Sequence, residues 1–376
     1  GNAALMADDG LLDLSGEILE MGTIGTNDVD GVLSVANQWN SGVANAVELN
    51  GGILKGGKII HESVGGITGF GTVTAAVDNR SFIAARGGNT LRIENDDTDW
   101  DGANGDGQLF ALQGNLVLSG VTDNDLVGFN GDVGIGAGHE LSIEGFDLKF
   151  ATNSTLQMTG GVISSDVLQH FGGQLAIFEQ AAEVRTDAIF ETASENTLNA
   201  RMTIFGETLI EAGASFEGSA DLTSAVSSSL TLADMASIDV DLRGFGEIFI
   251  EDGIGDAFVN GDASSNLFLG LELAGNSIGD YDRLFVGDTV ALRGIVDVSL
   301  LGYDPIAGDE FDLLDFKDFV DNGYELQLPE LNQGLFWNVS KFESDGILFI
   351  AVPEPSTGCP ILFALGLACL RRNRTS

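Results

Sequence analysis

Cysteine is nearly absent: two in 376 residues, Cys359 and Cys369, both near the C-terminus. The residues before them can hold no disulfide framework and no cysteine-ligated zinc site. Basic residues are scarce as well, 16 Lys plus Arg against 57 Asp plus Glu, a formal net charge of −41. A surface of that sign repels phosphate and anionic lipid, so nucleic acid and acidic membranes are excluded as partners. With 5 prolines the chain is neither collagen-like nor a proline-rich disordered segment. The three histidines, His61, His139 and His170, are far apart and in no metal-ligand spacing, and each is predicted to be an ordinary surface or turn residue. No G-x-S-x-G elbow is present, and "GIGAG" at Gly134 lacks both the P-loop lysine and the later dinucleotide pattern, which makes it a turn. The opening "GNAALMADDG" has no basic n-region and no apolar h-region, so it shows no secretory signal.

What the chain does have is glycine, 52 residues, about twice the usual ~7%, and 44% hydrophobic residues, enough for a substantial core. Its length allows two or three ordinary domains, but an elongated repeat array escapes that arithmetic. Five stretches share the order apolar, any, apolar, small or polar, glycine: "LDLSGEIL" at Leu12, "VELNGGIL" at Val47, "LVLSGV" at Leu116, "LSIEGF" at Leu141 and "LQMTGGVI" at Leu156. Period-two alternation puts the paired apolar residues on one face of a short strand, and glycine permits the bend into the next. The corners recur without a fixed period, as imperfect rungs with variable loops would. Helical periodicity is almost missing. These features predict an all-β right-handed parallel β-helix over residues 1–265, with Leu12, Leu14, Val47, Leu49, Leu156 and Met158 pointing inward and most of the 23 Phe in the core. A pair of β-sandwiches is the alternative. From about residue 266 the strands lengthen and all three Tyr appear, which predicts a small β-rich C-terminal domain or cap over 266–351, followed by a short hydrophobic tail at 352–376.

The succession "GDYDRLFVGDTVALRGIVDVSLLGYDPIAGDEFDLLDF" and "LPELNQGLFWNVSKFESDGILFIAVPEPS" resembles the C-terminal end of exported bacterial proteins that carry the PEP-CTERM sorting signal, with autotransporter-passenger-like bodies. The likeness is specific over 271–376 and one of texture before that. Pro353, Glu354 and Pro355 supply the Pro-Glu-Pro element, Ile361 to Leu370 the apolar stretch, and Arg371, Arg372 and Arg374 the basic terminus. Two prolines keep the segment extended, the apolar run makes a transient contact with the bilayer, and the arginines stay on the cytoplasmic side. From Cys359 to Leu370 the run spans about 18 Å as a helix, short of a ~30 Å hydrocarbon core, which suits a temporary signal better than a permanent anchor. The resemblance implies recognition by an exosortase-type membrane enzyme that removes the tail.

One local motif suggests a ligand. In "DDTDWDGANGDGQ", Asp97, Asp99, Asp101 and Gly102 match the first half of a D-x-D-x-D-G calcium loop, although Gln108 stands at its twelfth position; a solvated acidic loop is the alternative. No other cofactor is expected. The overall expectation is an exported, non-enzymatic cell-surface or extracellular-matrix protein with a structural, adhesive or exopolysaccharide-associated role. The competing reading is a carbohydrate-active β-helix enzyme, a polysaccharide lyase or hydrolase, for which Trp100 beside the Asp cluster would be the place to look.

Overall fold

The computed structural model describes residues 4–353 apart from 15–20, 104, 121–125, 167–168, 212, 221, 225–228, 234–236, 241, 244–246, 251–257, 260–267, 279 and 287–288. The chain winds into a parallel β-solenoid of about 10 turns. Short strands with period-two alternation cannot bury their apolar face alone, so each turn stacks in register on the last and continues one core. One inward column runs Ile24, Val47, Ile67, Ile83, Leu109, Val133, Leu156, Leu175. A second runs Leu91, Leu116, Leu141, Ile163, Val184, Ile204. Every one of these side chains is buried.

The third column is aromatic. Phe129, Phe150, Phe171 and Phe190 stack on successive turns and give way to Ile210 and Leu232. Their ring centroids are 6.3, 5.7 and 4.9 Å apart, spacings at which each aromatic pair contributes about 0.5–1.5 kcal/mol beyond its burial. The phenylalanines of this stretch are therefore core, as expected.

The glycine corners within the described residues are real; Gly16, the corner of the first stretch, lies outside them. At Gly52, φ is +72° and a Cβ would stand 2.1 Å from the Gly31 carbonyl oxygen, so the backbone turns there only without a side chain. Val47, Leu49, Leu156 and Met158 are buried, and Leu12 and Leu14 pack partly buried against the core. The lack of a period also has a cause. One turn takes 25 residues from Leu116 to Leu141, 22 from there to Ile163, and 20 from Val184 to Ile204. The corners at Leu141 and Leu156 sit on different columns, since Leu156 pairs with Val133.

The change of texture near 266 does not end the parallel pairing. Phe268–Leu273 pairs in parallel with Thr289–Leu300, which pairs in parallel with Asp318–Gln327. Antiparallel order arrives with a three-stranded sheet in which Ile347–Ala351 lies between Glu310–Asp312 and Phe336–Lys341. A short helix, Phe342–Asp345, sets the buried Phe342 against Tyr324, ring centroids 6.0 Å apart. Asp309 clasps this end: its Oδ2 accepts from Tyr303 Oη (2.5 Å) and the Ile306 N–H (2.8 Å), and its Oδ1 from Asn276 Nδ2 (2.9 Å).

Candidate functional site

The acidic loop is bound into the turn above and below it. Asp99 forms an isolated parallel bridge to Asp78, donating its N–H to the Val77 carbonyl (2.7 Å) and accepting from the Asn79 N–H (2.9 Å). Asp78 takes Arg80 on both carboxylate oxygens, at 3.0 and 2.6 Å, and Arg80 also reaches Glu62 at 3.0 Å. The hydrogen bond from Arg80 holds the Asp78 carboxyl below the usual carboxylate range. Asp101 Oδ2 accepts from the N–H (2.8 Å) and side-chain amide (3.1 Å) of Asn130. Asp99 is pushed up, first by burial and then by its hydrogen bond with Asp101 and the Asp78 charge.

Asp97 stands apart, exposed, its N–H bonded to Asn95 Oδ1 at 2.9 Å. The three carboxylates of the calcium motif thus do not converge on one point. Among the described residues, the acidic trio whose oxygens lie within 4.8 Å of one another is Asp9, Asp28 and Asp30, all exposed. Trp100 also departs from its expected place: it is 1% exposed and stacks on Phe146 at 6.0 Å, inside the core, so it offers no face to a sugar. Trp39 is buried too, and Trp337 is partly buried with its indole N–H on the Pro329 carbonyl (2.8 Å).

Among the histidines, His61 corrects the surface expectation. It is fully buried. Ser41 Oγ accepts from the N–H groups of Glu62 (3.0 Å) and Ser63 (3.1 Å), so its own proton goes to His61 Nδ1 at 2.8 Å, while Nε2–H donates to the Phe82 carbonyl at 3.0 Å. Both ring nitrogens are satisfied in the neutral tautomer, and burial lowers the pKa to about 4. A signal for this was present: in Ile59–His61 the alternation places His61 on the same side as the buried Ile59. His170 lies between Glu191, at 2.8 Å, and Asp147, at 4.0 Å, and Lys149 meets the other oxygen of Glu191 at 2.7 Å. His139 sits half-buried in a turn, as expected.

The C-terminal sheet determines how the chain leaves the body. Leu348 and Ile350 are buried in its central strand, whereas Val352 is 54% exposed and Pro353 is exposed. The fold is closed by Ala351, and the Pro-Glu-Pro element starts at the surface two residues later. Glu354, Pro355, Arg371, Arg372 and Arg374 lie outside the described residues. No helix among the described residues is long and apolar enough to cross a membrane.

Fold and terminus together define an exported β-solenoid with a C-terminal sorting segment. A family profile described as the PEP-CTERM protein-sorting motif matches residues 351–374. The chain thus carries a PEP-CTERM sorting motif at its C-terminal end, and that motif implies processing by exosortase, a membrane enzyme. No curated protein sequence matches the chain.

Proposed function

We propose that this protein is a non-enzymatic structural component of the cell surface or extracellular matrix, associated with exopolysaccharide and delivered by its C-terminal signal. The observation that carries the reading is the sorting motif at 351–374 starting where a closed solenoid ends. In this reading the tail contacts the membrane only in transit, with Arg371, Arg372 and Arg374 on the cytoplasmic side, and exosortase removes it. The body is then left outside as a rigid, strongly acidic rod, a shape and charge suited to spacing and hydrating a matrix.

Expression with an export signal in an exosortase-containing host tests this. Mass spectrometry of surface material should find the C-terminal peptide gone, and Glu354→Ala should hold the protein at the membrane. An intact Ser376 on mature, surface-exposed protein would overturn it. One observation favours the enzymatic alternative: Asp99 is hydrogen-bonded to Asp101 and pushed up by burial, the kind of perturbed carboxyl that serves as a general acid. Release of reducing or unsaturated sugars by wild type but not by Asp99→Asn would establish that reading instead.

A further inference from the structure

We propose that the outer sheet face around Phe82 and Phe110 is the polysaccharide-binding site and that it takes an uncharged sugar chain; this rests on the exopolysaccharide association proposed above. Phe82 and Phe110 belong to neighbouring strands, Phe82–Ala85 and Gln108–Ala111. Neither fills the core, which Ile83 and Leu109 occupy from the adjacent positions. Elsewhere in the column of Phe110 the residues are small or polar: Thr68, Ala84, Gly134, Gln157, Ala176. Two half-buried rings side by side on such a face, next to the exposed Leu112, form a local apolar patch.

The neighbouring turns make room for the rings to lie along the sheet. A Cβ at Gly66 would fall 2.3 Å from the Phe82 ring, and one at Gly134 would fall 2.9 Å from the Phe110 ring. The ring centroids are 6.2 Å apart and the planes are tilted by 55°. With Leu112, which is 47% exposed, they line an open groove of about 330 Å³ bordered by Arg86, Gln108 and Gln113. Ligand sites begin at roughly that volume.

The lining selects the occupant. An apolar floor beside amide and guanidinium groups matches a pyranose, which has an apolar C–H face and a rim of hydroxyls. Gln108 is held in place by donating to Asp132 Oδ2 at 3.0 Å. No carboxylate lines the groove, and Arg86 is exposed with no ion pair among the described residues. A polyanionic glycan would approach a chain of net charge −41, and long-range repulsion disfavours it. An extended peptide finds no purchase either, because both strands already have ladder partners on each side and offer no free edge.

Isothermal titration of the full chain with dextran, laminarin, cellohexaose and alginate decides the matter. Binding to at least one of the three uncharged glucans is expected, about tenfold weaker in Phe110→Ala and in Leu112→Gln, with both variants melting at the wild-type temperature. Wild-type binding that persists undiminished in both variants, or binding to alginate alone, removes this site while leaving the matrix reading intact. If the wild type binds none of the probes, the site falls. If it also fails to co-fractionate with the producing cell's own polysaccharide, the proposed association falls with it.

Discussion

Replacing His61 with glutamine should flatten the acid limb of the stability curve. The folded protein holds this imidazole neutral at a pKa of about 4, whereas the unfolded chain protonates it at 6.5. Between those values the unfolded state binds a proton that the folded state refuses. Stability from this group is therefore complete above about pH 6.5 and drains away as pH falls toward 4. The full difference corresponds to about 3 kcal/mol, and by about pH 5 roughly 2 kcal/mol of it is gone. Protonating surface carboxylates acts in the opposite direction by relieving the charge of −41, but it does so equally in both proteins. The His61→Gln variant keeps a donor for the Phe82 carbonyl and loses the acceptor for Ser41, so it should start about 1 kcal/mol or more less stable near neutrality. Urea denaturation at about pH 7.5 and about pH 5 reads the difference between the two proteins, which should shift by roughly 2 kcal/mol in the variant's favour, provided the denaturant slopes agree. An unchanged gap would show that His61 is not held neutral in the folded state and would refute the Ser41–His61–Phe82 assignment.

Two further perturbations probe other parts of the fold. Phe171→Ala removes a ring stacked between Phe150 and Phe190 and should cost about 3–5 kcal/mol, read as a lowered melting midpoint; a loss below about 1 kcal/mol would mean that the column repacks. Asp282 is buried, its pKa raised to about 7 by desolvation, and its Oδ2 accepts from the Glu272 N–H at 3.0 Å. Its contribution is complete below the ordinary carboxyl value and lost as pH rises to about 7, so Asp282→Asn, which keeps an acceptor, should gain in melting temperature relative to wild type across that window; equal midpoints at every pH would count against it.

The fold was legible because its strongest determinant is local. Alternation along "VELNGG" and "LQMTGG" fixes which side chains face inward, and glycine fixes where the strand bends, whatever the turn length. The turn length itself was not legible, since it varies from 25 residues to 20 and the corners fall on two columns of the same turn. Trp100 misled for a related reason. Its segment pairs with the turn before it only through the Asp78–Asp99 bridge, too little to show as a strand, so a residue flanked by acids looked solvated while it packs on Phe146. Spacing along the chain could not show the surroundings of the acidic motif either: it describes a free loop, whereas Asp101 accepts two hydrogen bonds from Asn130 on the next turn.

Body and tail meet at Ala351. A parallel solenoid grows by offering each strand edge to the next, so an uncovered last turn is a template for pairing with another molecule. Here the outermost parallel strand, Asp318–Gln327, carries Asp318, Asp321 and Glu325, and the antiparallel sheet with the Phe342 helix packs at the same end, with Tyr324 against Phe342. Charge on an edge is a recognised defence against adventitious pairing. Because Ile347–Ala351 is the central strand of that sheet, the last residues to join the described fold are also those that hand the chain to the sorting motif. The closing strand and the motif thus share Ala351, which pairs with Phe336 inside the sheet.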